Sequence, residues 1–310
     1  MGVWGAGLYS GDFAMDLHSA TRAVTRLPFD GDRLAELACS VDPDAANNPE
    51  DEDHTTFWLV VADQFAKNGI ACQRVREKAL DIIDGGSDLA MLSKLGMDAA
   101  GLRKRQKMLG NLRQSLTAAA QPANPRRVLK KPQTLLMQVG DVLVYPTSDG
   151  KNINPYFPSK ERMVPAWQQD GWSAALIVEC GRAFDFLAWY RPLTIAVALE
   201  EKPGIAQLRL TTIWVLKRPG TCSPVHFKRM GLEKVGTVPI DAAKLNRSFP
   251  ARPNGMAEAV SDISIANHLD VGPTFPAELI HLPGEPANHR RGRQYPAIIR
   301  LDEILSERGS

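Results

Sequence analysis

Apolar residues recur every three or four positions through the first 118 residues of the chain, then gather into short continuous or alternating runs. The first spacing lines one side of a helix, and the second fits strands. One helix is predicted from about Phe13 to Arg26, with Ala14, Leu17, Ala20, Thr21 and Val24 inward and Ser10 or Asp12 as its cap. "TTFWLVVADQFAKNG" predicts a second, with a threonine cap, Phe57, Trp58, Val61 and Phe65 inside and Gly69 as the stop. "ACQRVREKALDIIDGG" gives a third, whose Val75, Ala79, Ile82 and Ile83 share a face that ends at Gly85 and Gly86. A short helix opens at Ser87, and "DAAGLRKRQKMLGNLRQSLTAAA" gives a longer one with Leu102, Met108, Leu109, Leu112 and Leu116 inward. Residues 30–54 read as an acidic loop.

"QPANPRRVLKKPQ" has three prolines and no apolar period, which marks a linker. Beyond it, "TLLMQVGDVLVYPTSDG", "WSAALIVEC", "RAFDFLAWYRPL", "TIAVALEE" and "AQLRLTTIWVLKRPG" read as strands between glycine and proline breaks. The alternation in "QLRLTTIWVL" implies one buried and one wet face. From Pro250 the chain is rich in loop residues, and "AIIRLDEIL" returns to the sheet. The expected fold class is therefore α+β: an N-terminal antiparallel helical bundle, then an antiparallel β-sheet or small β-barrel. The expected divisions are a helical domain over 1–120, a basic linker over 121–133 and a β-rich domain over 134–310.

Charge changes this picture more than composition does. The net charge is +2, yet residues 1–98 hold 17 acids and 8 bases while the remainder holds 18 acids and 29 bases. No acid occurs between Ala99 and Gly140, a stretch that carries Arg103, Lys104, Arg105, Lys107, Arg113, Arg126, Arg127, Lys130 and Lys131. That asymmetry is a candidate nucleic-acid surface, weighed against a solvated helix face followed by a basic linker. No apolar run is long enough for a membrane span, and no signal peptide is expected. Four dispersed cysteines without a C-x-x-C suit free thiols, so a cytoplasmic protein is expected.

The opening "MGVWGAGLYSGDFAMDL" places Gly5, Gly7 and Gly11 near a dinucleotide fingerprint, but no strand precedes them to deliver a phosphate site. A tight entry into the first helix, anchored by Trp4, is the better reading. Trp4, Gly5, Gly7, Asp12, Ala14 and Asp16 resemble the start of a family of uncharacterised bacterial proteins, a domain of unknown function that opens Met-Gly-x-Trp-Gly-x-Gly. The resemblance continues through "FWLVVADQFAKNG", "VREKALDIIDGGSDL", "LRKRQKMLGNLRQSL" and "VGDVLVYPTSDG", over roughly residues 1–150. It implies a shared fold and no reaction. Gly140 to Pro146 is also similar to the opening strand of small β-barrel immunity proteins of bacterial toxin systems, which bind and neutralise a toxin. Neither likeness extends to "KNINPYFPSKERMVPAWQQD" or to the tail after His226.

No catalytic or metal signature emerges. The six histidines form no H-x-x-x-H or H-x-H pair, and "PEDEDH" lacks the spacing of a calcium loop. Neither a nucleophile elbow nor a P-loop is present, and no cofactor is expected. A pairing of Cys180 or Cys222 with His226 lacks any local signature. The one suggestive group is aromatic. Trp167, Trp172, Trp189 and Tyr190 stand with Phe184 and Phe186 among Arg182, Asp185 and Arg191. Aromatics with arginine favour interfaces, although period-two alternation would bury Phe184 and Phe186 as core and expose Asp185 and Leu187. The expectation is a binding protein that sequesters a protein partner through Trp167, Trp172, Arg182, Asp185, Trp189 and Arg191. Nucleic-acid binding through 99–140 and an enzyme with a dispersed site are the alternatives.

Overall fold

The computed structural model describes residues 5–118, 126–157, 159–163, 166–196, 198–210, 214–248, 268–271, 298–299 and 301–306. The described chain divides into two compact units between Lys131 and Pro132. No helix among the described residues is long and apolar enough to cross a membrane.

The first unit holds α1 (Asp12–Val24), α2 (Gly31–Cys39), α3 (Pro43–Asn47), α4 (His54–Lys67), α5 (Gln73–Gly85), α6 (Ser87–Lys94) and α7 (Ala99–Thr117). At its centre is α4, whose residues Phe57 to Ala62 are all buried. A helix apolar on every side needs neighbours all round, and α1, α3, α5, α6 and α7 supply them. The expected acidic loop over 30–54 is corrected: it contains α2 and α3. Two of its aspartates start these helices, Asp30 accepting from the Arg33 N–H at 2.8 Å and Asp42 from the Ala45 N–H at 3.0 Å. Leu34, Ala35, Leu37 and Ala38 then give α2 an inward face. The expected caps are also corrected. Gly11 stands at the cap of α1 and Asp53 at that of α4, neither with a side-chain cap bond. Gly69 and Gly86 end their helices at φ of 62° and 69°, the left-handed region open to glycine.

Among the described residues the opening segment turns into α1 without a glycine at positive φ. The Ser10 N–H donates to the Gly7 carbonyl at 3.2 Å, and a Cβ on Gly7 would lie 2.7 Å from Ser10 Oγ. Asp12 and Asp16 are exposed on the first turns of α1. Trp4 lies outside the described residues. Two side chains tie this segment down: Arg105 Nη1 donates to the Gly7 carbonyl at 2.9 Å, and the Tyr9 hydroxyl donates to Asp63.

The expected linker is only partly testable, because 119–125 lie outside the described residues. Its later part is bound rather than free. Arg126 Nη2 donates to the Leu27 and Phe29 carbonyls, and the Leu129 N–H to the Arg26 carbonyl. Gln133 joins the second unit, its N–H donating to the Phe186 carbonyl and its Oε1 accepting from the Ala188 N–H.

The second unit is an antiparallel sheet of β1 (Asp141–Ser148), β2 (Lys151–Asn152), β3 (Gly171–Ala183), β4 (Leu187–Ile195), β5 (Trp214–Leu216), β6 (Glu233–Thr237) and β7 (Ile298–Ile299). The order is β2-β1-β3-β4-β5-β7, with β6 also on β1. Among the described strands no pair closes the path, and the expected α+β layout with an antiparallel sheet stands. Short helices α8 (Ile205–Leu210), α9 (Pro224–Arg229) and α10 (Ala242–Ser248) lie among the strands.

The expected wet face is corrected, because both faces are covered. Val142, Val144, Leu176, Leu193 and Trp214 pack on one side with Leu208, Leu245, Leu301 and Ile304. Leu143, Tyr145, Ala175, Ile177 and Tyr190 pack on the other with Met137, Met230, Leu232, Leu269 and Val271. The alternating "QLRLTTIWVL" is not one strand: Ile205–Leu210 is α8, and of the rest Trp214–Leu216 pairs in the sheet. Ile205 and Leu208, three apart, both reach the first core, which is helical spacing. The Phe184–Phe186 stretch is a turn between β3 and β4, with φ of 52° at Phe184 and 63° at Asp185. That turn shifts the pattern expected there. Leu187 is buried, whereas Phe184 and Phe186 are only partly covered.

Candidate functional site

The six residues picked out by the aromatic–arginine pattern do not form one cluster: Arg182, Asp185, Trp189 and Arg191 lie on the β3–β4 hairpin, and Trp172 lies near the start of β3. Trp172 opens β3 and Arg182 lies near its far end, a separation of about 30 Å along an extended strand. Lys160 Nζ sits 4.0 Å over the Trp167 ring and Lys202 Nζ 5.4 Å over that of Trp172. Trp189 is 8 % exposed and lies over Gly181, where an added Cβ would meet the indole Nε1 at 3.1 Å. Arg191 pairs with Glu179 at 2.9 Å, Arg182 Nε donates to the Gln133 carbonyl at 2.8 Å, and Asp185 stands in the β3–β4 turn.

The basic stretch is also broken up. Arg105 is 3 % exposed and forms a two-pronged ion pair with Asp88 at 2.8 Å. Arg126 is half-buried on carbonyls, and Arg113 pairs with Asp84 at 2.6 Å. Arg103, Lys104 and Lys107 remain exposed on α7, and Arg127, Lys130 and Lys131 lie exposed farther on.

What the fold does bring together is a polar network over the second face of the sheet. Tyr145 and Ser173 are cross-strand partners on β1 and β3, with Tyr145 Oη 2.9 Å from Ser173 Oγ. The Tyr145 hydroxyl donates to the Val271 carbonyl. Residues 268–271 thus cross this face, and they are held twice more. The Leu269 N–H donates to the Thr221 carbonyl at 2.7 Å, and Asp270 lies 3.7 Å from Lys217 Nζ. The Lys217 side chain is 5 % exposed. Burial pushes its ammonium below the ordinary lysine value, while the Asp270 charge opposes the shift. Burial likewise pushes the Tyr145 phenol upward.

At the surface end of this network stands Tyr156. Its ring lies 5.0 Å from that of His226 on α9 and 5.1 Å from that of His268, edge-on to both. Arg229, also on α9, donates from Nη1 to the Pro155 carbonyl at 3.0 Å, fixing the loop that carries Tyr156. Tyr156 is 55 % exposed, Val225 54 % and Phe157 38 %. Desolvation lowers both imidazoles below the ordinary histidine value. For His226 the Arg229 charge lowers it further; for His268 the Asp270 charge acts upward. Both rings are therefore neutral near pH 7, leaving Lys228 and Arg229 as the charges that α9 presents. No carboxylate occurs from Pro224 to Gly231 or from Ile153 to Phe157, while Asp270, half exposed, stands two residues from His268 and is paired with Lys217.

The thiols are protected rather than activated. Burial raises Cys39, Cys72 and Cys180, and carries Cys222 up to about 12. A thiol so shifted is a poor nucleophile near neutrality. Cys222 Sγ faces the Ser223 carbonyl at 3.7 Å. Among the described residues no group of three or more His, Cys, Asp or Glu is placed to hold a metal ion.

Tyr156, Phe157, Val225 and Arg229 were not singled out from the sequence. A signal existed in "NPYFP", where adjacent aromatics stand between prolines in a loop segment. The link to α9 and His268 is set by tertiary contact. No protein-family model, curated protein or solved structure matches the chain.

Proposed function

We propose that the protein is a binding protein that sequesters an acidic protein partner on the face formed by Tyr156, Phe157, Val225 and Arg229. The observation that supports this reading is that Tyr156, Phe157 and Val225, three exposed apolar side chains, stand on a loop and a helix joined by the Tyr156–His226 ring contact and the Arg229–Pro155 hydrogen bond. Exposed apolar patches mark interaction sites, and Tyr and Arg dominate interface energetics. A loop already ordered by Arg229 and by the His226–Tyr156–His268 stack loses little entropy on binding. The positive rim selects a partner that carries carboxylates.

The test is capture from source lysate by the tagged full chain, with and without nuclease, against Val225→Asp and Tyr156→Ala. The expected result is one protein retained by the wild type after nuclease and reduced at least about tenfold by each variant. Equal retention by the variants would overturn the proposal. So would capture that disappears with nuclease, which would favour nucleic acid at Arg103, Lys104 and Lys107.

A further inference from the structure

Between the end of α4, the start of α5 and the end of α7 lies a cavity of about 620 Å³. That size falls in the range that holds small ligands. Ala62 and Phe65 on α4, Ile70 in the connecting loop, Val75 on α5 and Leu116 on α7 line it. Gln73, Arg76, Ser115 and Thr117 add polar groups, so the lining is mixed, as ligand sites with an apolar wall and a few polar anchors are.

The cavity is built rather than incidental. The loop after α4 is closed by the Ile70 N–H donating to the Phe65 carbonyl at 2.9 Å and the Gly69 N–H to the Ala66 carbonyl at 3.1 Å. The start of α2 presses on the same loop, where a Cβ on Gly31 would fall 1.8 Å from the Ala71 carbonyl oxygen. The backbone wall is therefore fixed before anything binds.

The polar lining is one-sided in charge. Arg76 lines the cavity, and no acidic residue does. Elsewhere in the helical unit Lys67 pairs with Asp63 at 2.7 Å, Arg113 with Asp84 at 2.6 Å, and Arg74 lies over the Trp58 ring at 5.4 Å. Among the described residues Arg76 has no carboxylate at ion-pair distance. The first turn of α5 reaches the cavity through Cys72 and Gln73, and the charge its dipole favours at that end is already supplied by Asp32, whose carboxylate accepts from the Cys72 thiol at 3.3 Å, which leaves Arg76 as the anchor for a ligand.

We propose that this cavity binds a small amphipathic carboxylate, with its hydrocarbon tail against Phe65, Val75 and Leu116 and its head on the Arg76 guanidinium. A planar guanidinium takes a carboxylate in two parallel hydrogen bonds, and the apolar wall takes the chain. The site belongs to the helical unit alone and stands independently of the partner-binding reading.

Calorimetric titration of the full chain with decanoate and with decan-1-ol tests it. Decanoate is expected to bind with a Kd on the order of tens of micromolar, and the alcohol about tenfold more weakly. Arg76→Glu, an exposed change, should weaken decanoate about tenfold and leave the alcohol unchanged. Ala66→Trp, which fills the cavity, should abolish both while circular dichroism shows the helices intact. Absence of heat with either ligand would overturn the proposal. Equal binding of the two, an unchanged Arg76→Glu, or undiminished binding to a folded Ala66→Trp would do so as well.

Discussion

Replacing Arg105 by leucine leaves Asp88, whose side chain is 1 % exposed, without its guanidinium. The native arginine makes three charge-assisted bonds. Nε and Nη2 reach the two Asp88 oxygens at 2.8 Å each, and Nη1 reaches the Gly7 carbonyl at 2.9 Å. Only the Thr55 hydroxyl, 3.4 Å from Asp88 Oδ1, would remain on the carboxylate. Stripping one partner from a buried ion pair costs about 3–5 kcal/mol. Urea unfolding followed by far-ultraviolet circular dichroism reads this change. With a slope of roughly 2 kcal/mol per molar urea, the midpoint of the helical unit should fall by about 2 M. The double variant Asp88→Leu/Arg105→Met removes both charges and should recover most of the loss, because the desolvation of both ions is relieved together. Arg113→Leu breaks the half-exposed pair with Asp84 and serves as the control, with no shift expected. A single-variant shift below about 0.5 M, or a double variant as unstable as the single, would refute the reasoning.

Asp53, whose carboxyl is pushed from 3.8 up to about 6 by burial first and by Glu52, Asp51 and Asp42 after it, holds its proton more tightly folded than unfolded. The helical unit should therefore be most stable below 3.8 on this account and lose stability as pH rises through about 6. Asp53→Asn should remove that slope and raise the midpoint near neutrality, and a lower midpoint there would contradict it. His226 and His268 have the opposite sign: their lowered values give stability to the sheet unit above 6.5 that is lost as pH falls beneath it. Ring-proton titration by NMR should place both below 6.5, and either value above that would refute the assigned burial. Asp185→Gly should stabilise the β3–β4 turn by up to about 1 kcal/mol by relieving a left-handed backbone, with Asp185→Ala shifting the melting midpoint the other way.

The helices were legible because their signals are local. Gly69 and Gly86 stop α4 and α5 where the sequence places them, and the inward faces of α1, α5 and α7 follow the spacing of their apolar residues. The errors came where a short element depends on what covers it. The acids of 30–54 hid α2 and α3, because an aspartate cap and a solvated aspartate look alike in sequence. Leu208, in step with Leu210, Trp214 and Leu216, fits an alternating strand as well as a helix until the core behind it is known. Arg105 belonged by sequence to a basic run, yet its partner Asp88 lies on another helix. The candidate binding face was the least legible part. Tyr156, His226 and His268 meet only because residues 268–271 cross the sheet and Arg229 holds the Pro155 carbonyl.

Site-specific photo-crosslinking tests the central claim most directly. A photoreactive phenylalanine analogue replaces Val225 on the proposed face or, as the control, Met15, an apolar side chain 50 % exposed on α1 of the other unit. The account predicts one crosslinked protein from position 225, resistant to nuclease, and none from position 15. No crosslink from 225, or the same crosslinked species from both positions, would contradict it.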